Sequence, residues 1–186
     1  ENNTFFEKIK YLNPGHFIKF KVGKRILAPK KFISKTKYYN KKFSNIKNSH
    51  ILTKRIEPIL YNNVRMRLGG NKKVGIFLSG GIDSVVLLAI YKKLFPKRRI
   101  ETFTAVFEND QNKTLVGEHE KVKAICKHFK CKSNIVRINS KELIKSFNSS
   151  SYPSTGLLEF CFKKLAEKAR NNNTEVILSG EGADEM

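Results

Sequence analysis

The sequence has no tryptophan, only three cysteines and no apolar run as long as a membrane-spanning helix. Nor does it open with the apolar stretch of a secretory signal. The cysteines, Cys126, Cys131 and Cys161, are too few for a disulfide framework and suit a reducing compartment, so we expect a cytoplasmic protein without a membrane segment. The sequence begins at Glu1 and stops at Met186 inside a glycine- and acid-rich segment, which predicts a fragment of a longer chain.

Acidic residues are also scarce, because 16 of them stand against 37 basic residues and give a formal net charge of +21. An excess of this kind is typical of nucleic-acid-binding proteins. However, the lysines are scattered through every segment and asparagine is abundant, as an AT-rich coding sequence would produce. No basic stripe interleaved with aromatic residues stands out, so we do not expect a nucleic acid as partner. A hydrophobic content of 40% with 14 phenylalanines is enough for a core and excludes a disordered chain.

The chain also lacks a phosphate-binding loop of the Walker type with its lysine, although one segment has a related design. From Val74 a short apolar run leads to residues 79–84, which read SGGIDS, and a helical pattern follows. This order predicts a strand, a tight loop and a helix whose backbone N–H groups converge on an anion such as phosphate. The acid at Asp83 would repel a phosphate unless a divalent cation lay between them. The alternative is that Asp83 or Ser84 merely caps the helix.

Strands and helices alternate along the rest of the chain. Strands are predicted at Ile100–Phe107, Asn134–Ile138 and Glu175–Leu178, and helices at Val116–Phe129, Lys141–Phe147 and Gly156–Arg170. Upstream, an apolar stripe from Leu52 to Leu68 predicts a further helix with Pro58 in or near its first turn. We therefore expect an α/β fold with a parallel sheet and helices on both faces, which binds ligands beyond the carboxyl ends of its strands.

The last predicted strand leads into residues 179–185, which read SGEGADE. Asp83 and Asp184 are about a hundred residues apart, yet both follow parallel strands and so belong to one edge of the sheet. Two carboxylates beside phosphate oxygens are a donor set that suits Mg²⁺. The alternative is that Asp184 and Glu185 only complement a helix N-terminus.

The first part of the chain has a different pattern. Asn13–Gly15 predicts a turn, Phe17–Val22 a strand, Gly23–Lys24 a second turn and Arg25–Ala28 a return strand, which together make a β-hairpin. The lysine-rich stretch Pro29–Ser49 has no clear period and predicts a linker.

Three segments carry a resemblance to known families. SGGIDS at 79–84 resembles the SGGxDS loop of the ATP pyrophosphatases, and SGEGADE at 179–185 resembles a segment of the asparagine synthetase family. Residues 6–16 are similar to the closing segment of the amidotransferase domain in asparagine synthetases. The resemblance implies an adenine nucleotide α-hydrolase-like fold. It also divides the chain into the tail of an amidotransferase domain at 1–28, a linker at 29–49 and a truncated synthetase domain at 50–186.

The asparagine synthetase resemblance implies a glutamine-hydrolysing, amide-forming ligase that uses ATP and Mg²⁺. Aspartate would be activated as β-aspartyl-AMP with release of pyrophosphate, and glutamine-derived ammonia would displace AMP. The resemblance assigns Asp83 and Asp184 as the metal ligands. It assigns Glu181 as the base that deprotonates the amine. The alternative is that Glu181 is only a solvated turn residue. It assigns ATP binding to Leu78, Ser79, Gly80, Gly81, Asp83, Ser84, Ala105, Ser179 and Gly180. The fragment alone should be inactive, and a homodimer is compatible with the family.

Other functions stay open at this point. A tRNA-modifying ATP pyrophosphatase would account for the basic charge, but such enzymes lack a counterpart of SGEGADE. A β-lactam-synthetase-like amide former shares SGEGADE. If the chain ended at Met186, it would be a nucleotide-binding module without activity.

Overall fold

The computed structural model describes residues 3–24, 28–32, 48–68, 70, 72–108, 115–116, 119–149 and 156–182. The chain divides into two compact units, Glu1–Arg55 and Ile56–Met186. Among the described residues, no helix combines the length and the apolar character that crossing a bilayer requires.

The predicted β-hairpin is present in the first unit, but its second strand lies further along the chain than expected. Strand β1 (His16–Phe17) pairs antiparallel with β2 (Lys30–Lys31), inside the segment predicted as a linker. The pairing is continued by the N–H of Phe32, which donates to the carbonyl of Gly15 at 2.9 Å. The rings of Phe17 and Phe32 also meet edge to face, with centroids 6.1 Å apart. This contact favours the observed register over a return strand at Arg25–Ala28, of which residues 25–27 lie outside the described part.

Helix α1 (Ser49–Arg67) starts earlier than its apolar stripe indicates. The side-chain oxygen of Asn48 accepts the N–H groups of His50 at 3.0 Å and Ile51 at 3.4 Å, which satisfies two otherwise unpaired donors of the first turn. Pro58 therefore lies well inside the helix, and the prediction that it lies in or near the first turn is wrong.

The second unit contains a sheet flanked by helices, as predicted. After α1 its elements are β3 (Val74–Phe77), α2 (Ile82–Leu94), β4 (Glu101–Glu108), β5 (Leu115–Val116), α3 (His119–His128), β6 (Lys132–Ile138), α4 (Ser140–Ser149), α5 (Leu157–Asn171) and β7 (Val176–Leu178). Four strands are parallel and run in the order β6-β4-β3-β7. The prediction that a helix starts at Val116 is wrong, because Val116 pairs antiparallel with Phe107 in β5 and α3 starts at His119.

Helices cover both faces of this sheet, which confirms the predicted fold class. On one face, Leu88 and Tyr91 of α2 and Val122 of α3 pack with Ile76 of β3 in a buried cluster. On the other face, Leu165 and Ala169 of α5 pack against Phe103 of β4. The alternation along each strand divides its side chains between the two clusters.

The strand order reverses at β3. The chain moves outward from β3 to β4 and β6, and then returns to place β7 on the other side of β3. In an open parallel sheet such a reversal leaves a crevice at the carboxyl ends of the two strands, where the connections diverge. The loops after β3 and β7, which carry the two predicted motifs, both start at this point.

At the amino ends of the parallel strands, Glu101 at the start of β4 binds residues near the starts of β3, β6 and β7. Its carboxylate lies 2.9 Å from the ammonium of Lys73, and it accepts the amide groups of Asn134 at 3.1 Å and Asn172 at 2.7 Å. Burial alone would raise the pKa of Glu101, but the hydrogen bonds from Lys73, Asn172 and Asn134 outweigh it and lower the pKa to about 2.

This shift makes a testable contribution to the pH dependence of stability. Because the folded pKa lies below the unfolded one, the ionised carboxylate stabilises the fold at neutral pH, and the effect is lost as the pH falls from about 5 toward 2. A shift of this size corresponds to on the order of 3 kcal/mol. The measurement compares the free energies of urea unfolding of the protein and of Glu101→Gln. The difference between the two should be about 2 kcal/mol smaller at about pH 3 than at about pH 6. A difference that does not change with pH would contradict this assignment.

Candidate active site

A cavity of about 410 Å³ opens where the strand order reverses. Its walls come from the loop after β3, the middle of β4, helix α5 and the loop after β7. Nine residues singled out from the sequence line it, namely Leu78, Ser79, Gly81, Asp83, Ser84, Ala105, Ser179, Gly180 and Glu181. Gly80 lies in the first loop and is buried, but it is not part of the cavity wall. Asp184 lies outside the described residues.

The loop after β3 turns through Gly80, whose φ of 84° is in the left-handed region that glycine adopts without strain. Helix α2 then begins with Gly81 as its N-cap. Asp83 and Ser84 lie inside the helix, so the alternative that one of them is its N-cap is wrong. The hydroxyl of Ser84 instead donates to the carbonyl of Gly81 at 3.0 Å, and the carboxylate of Asp83 faces the cavity half-buried.

A serine fixes the shape of each loop in the same way. The hydroxyl of Ser79 accepts the N–H of Gly81 at 3.2 Å, and that of Ser179 accepts the N–H of Glu181 at 3.3 Å. Such bonds to the backbone two residues on stabilise tight turns. The two loops thus contain the same kind of serine-stabilised turn, at the ends of adjacent parallel strands.

The two loops also touch each other. A Cβ added to Gly180 would lie 2.9 Å from the backbone nitrogen of Ser84 and 3.0 Å from the Cβ of Asp83. A distance under about 3 Å leaves no room for a side chain, so residue 180 has to be glycine for the loops to approach this closely. This contact brings Asp83 and Glu181, almost a hundred residues apart, to one cavity.

The first turn of α2 gives the cavity a positive electrostatic end. The N-terminal N–H groups of a helix lack intrahelical partners, and together with the helix dipole they attract anions. Asp83 places a negative charge at the same point. An anionic ligand therefore needs a cation between itself and this carboxylate, which is the arrangement that a metal-bound polyphosphate provides.

The opposite wall is apolar and was not predicted. It consists of the side chains Phe77, Phe103, Leu158, Cys161, Phe162 and Leu165. The rings of Phe77 and Phe162 stack with centroids 5.6 Å apart. Burial raises the pKa of the Cys161 thiol, so this side chain acts as part of an apolar surface rather than as a nucleophile.

The sequence did contain a signal for this wall. Leu158, Cys161 and Leu165 follow the helical period of α5 and indicate one apolar face. A periodic stripe of this kind does not distinguish a helix face that is packed in a core from one that borders a cavity. The structure shows that part of the α5 stripe lies over the carboxyl ends of β3 and β4, where the strands leave space.

Comparison with known proteins identifies relatives of this chain. The family model for asparagine synthase matches residues 55–186. The chain is 30% identical over 142 residues to the glutamine-hydrolyzing asparagine synthetase of Gallus gallus, and the alignment covers 70% of this chain and 24% of that protein. It is 26% identical over 195 residues to glutamine-hydrolyzing asparagine synthetase 1 of Bacillus subtilis, and that alignment covers 100% of this chain and 28% of that protein. The chain thus spans 24% and 28% of the lengths of these two curated relatives.

Among solved structures, the chain is similar to the U34-tRNA thiolase NcsA from Methanococcus maripaludis. The TM-score is 0.50 at 18% sequence identity, over 69% of this chain and 46% of that one. At this identity the likeness shows a shared α/β fold.

Proposed function

The chain belongs to the asparagine synthase family, and we propose that the complete protein is a cytoplasmic ligase that converts aspartate to asparagine with ATP and glutamine-derived ammonia. In this reaction aspartate attacks the α phosphate of ATP, which forms β-aspartyl-AMP and releases pyrophosphate. Ammonia then attacks the activated carbonyl and AMP leaves. The observation that carries the proposal is the contact of the SGGIDS and SGEGADE loops at Gly180, beside the carboxylate of Asp83.

The two sides of the cavity suit the two ends of ATP. Residues 79–80 and the first turn of α2 offer backbone N–H groups and a helix dipole to the phosphates, whereas the N–H groups of Leu78 and Gly81 are held by Phe103 and Ser79. The stacked rings of Phe77 and Phe162 belong to an apolar wall that suits a purine ring. In the proposed pose, Leu78 and Ala105, with Ser179 and Gly180, frame the nucleotide through their backbones.

The residues at the phosphate end fit a magnesium ion. Asp83 lines the cavity at the start of α2. Magnesium prefers a few carboxylate oxygens together with phosphate oxygens. We assign Asp83 and Asp184 as its protein ligands. Bound there, Mg²⁺ would neutralise the charge that develops on pyrophosphate as it leaves.

Glu181 is proposed as the base for the second half-reaction. Its side chain is exposed at the mouth of the cavity, and its backbone N–H is held by Ser179. A carboxylate in this position can take a proton from the attacking amine. Adenylation of aspartate requires no such proton transfer, so the roles of Asp83 and Glu181 are separable by experiment.

The exposed apolar side chains of the first unit suggest that it belongs to a domain separate from the second unit. Of the described residues at 3–24 and 28–32, none is buried, and the exposed fractions reach 81% for Phe5 and 98% for Val22. Apolar side chains in such numbers are normally covered in a folded domain. We propose that the hairpin segment closes an amidotransferase domain, with the boundary after β2 at Lys30–Lys31 rather than at residue 28, and that the residues from there to 49 link it to a synthetase domain beginning at 50.

An exchange assay with the complete protein tests this function and its substrate. Radioactive pyrophosphate should enter ATP when aspartate is present, because adenylation is reversible. Glutamate and a tRNA pool serve as competing acceptors, and ammonium should convert the aspartate-dependent exchange into asparagine synthesis. Exchange that depends on tRNA would instead favour the tRNA-modifying alternative. Exchange that depends on another acid alone would favour an amide former of the β-lactam synthetase kind.

A further inference from the structure

Thr104 of β4 makes a buried hydrogen bond that none of the assigned roles explains. Its side chain is 5% exposed, and its hydroxyl donates to the carbonyl of Leu78 at 2.7 Å. The N–H of Leu78 in turn donates to the carbonyl of Phe103 at 2.9 Å. Register pairing of β3 with β4 ends at Phe77 and Phe103, so Thr104 holds the first residue beyond the paired strand.

Leu78 is the point at which strand β3 becomes the loop. The peptide between Leu78 and Ser79 is planar, so a hydrogen bond that fixes the direction of the Leu78 carbonyl also fixes the N–H of Ser79 on the opposite side. The hydroxyl of Ser79 then holds the N–H of Gly81 at 3.2 Å and lies 3.2 Å from the hydroxyl of Ser84. These hydrogen bonds therefore connect β4, through Leu78 and Ser79, to the start of α2.

We propose that Thr104 is a positioning residue for the nucleotide: its hydroxyl sets the orientation of the 78–81 loop and thereby aims the loop at the β and γ phosphates. The inference rests on the proposed function, because it takes the loop to be the phosphate-binding element. Thr104 also lines the cavity, but it acts here through Leu78 rather than by touching the phosphates. Without the hydroxyl, the buried carbonyl of Leu78 would lose this donor, and rotation of the 78–79 peptide would be favoured.

The chain offers a matched control two residues away. Thr102 lies on the same strand and is fully buried, and its hydroxyl contacts the thiol of Cys126 at 3.2 Å and the carbonyl of Lys132 at 3.4 Å. It points to the same face of the sheet but lies toward the other end of β4. Thr102→Val therefore removes a buried hydroxyl of the same kind without touching the loop.

Equilibrium binding of ATP and AMP to the complete protein, in the presence of Mg²⁺, tests the proposal. AMP lacks the two phosphates that the loop would hold, so Thr104→Val should weaken ATP binding roughly tenfold, as expected for about one lost hydrogen bond, and leave AMP binding within about threefold. Thr104→Ser keeps the hydroxyl and should restore the preference for ATP. Thr102→Val should lower thermal stability and keep that preference.

The other outcomes separate this proposal from the function on which it rests. If Thr104→Val kept the full preference of the parent for ATP over AMP, the positioning role would be wrong and the function would stand. If it weakened ATP and AMP equally, Thr104 would be a structural residue and the proposal would again be wrong. If the parent protein itself bound ATP no better than AMP, the assignment of the loop to the phosphates, and with it the proposed function, would be wrong.

Discussion

Replacing Glu181 by glutamine in the complete enzyme is expected to abolish amide formation and to leave pyrophosphate exchange near the parent rate. The reason is that adenylation of aspartate removes no proton from an amine, whereas attack by ammonia does. Loss of a general base typically costs about 10²–10⁴-fold. Asparagine formation and exchange are measured on the same preparation, so misfolding of the variant would show as loss of both.

Asp83→Asn is the matched comparison, because it removes a carboxylate from the same cavity. If Asp83 holds the metal beside the phosphates, this variant should lose both exchange and amide formation by about 10²-fold or more, since the leaving pyrophosphate is no longer neutralised. Amide formation at the parent rate in Glu181→Gln would show that Glu181 is not the base. Loss of exchange in Glu181→Gln as complete as in Asp83→Asn would place Glu181 at the nucleotide instead.

Gly180→Ala is expected to have the second largest effect, through geometry rather than chemistry. The new methyl group would lie 2.9 Å from the nitrogen of Ser84 and 3.0 Å from Asp83, and these are backbone atoms and a Cβ that cannot rotate away. The two loops must separate to accept it. A displacement of about 1 Å in a catalytic arrangement can cost about 10²-fold in rate, and we expect a loss of this order in both half-reactions.

The neighbouring glycine provides the comparison for this variant. A Cβ on Gly81 would meet only the hydroxyl of Ser79, at 3.3 Å, and that group can rotate. Gly81→Ala should therefore lose much less pyrophosphate exchange than Gly180→Ala. Thermal unfolding of both variants shows whether the fold is kept. Equal exchange rates in Gly180→Ala and the parent would mean that the two loops do not approach each other in the enzyme as they do in this structure.

The alternation of strands and helices was predictable from the sequence because both have strong local signals. The apolar run before Ser79 and the helical period after Ile82 place β3 and α2 with little reference to the rest of the chain. Both motifs follow strands, and the carboxyl ends of parallel strands lie at the same end of a sheet, so the meeting of the two loops also followed from the sequence.

Features that depend on distant contacts were not predictable in this way. The strand β5 has two residues, and Val116 belongs to it through pairing with Phe107 of β4 rather than through any local pattern. The second strand of the hairpin lies at Lys30–Lys31, where two lysines give no strand signal. The apolar wall of the cavity required knowledge of where α5 crosses the sheet. The contact at Gly180 required knowledge of the distance between two loops.

The products of ATP show whether these loops bind ATP for cleavage between its α and β phosphates. The complete enzyme should be incubated with aspartate, ammonium, Mg²⁺ and ATP, and the nucleotides and phosphates separated and counted. Cleavage at this position gives one AMP and one pyrophosphate for each asparagine formed. One ADP and one orthophosphate for each asparagine would contradict it.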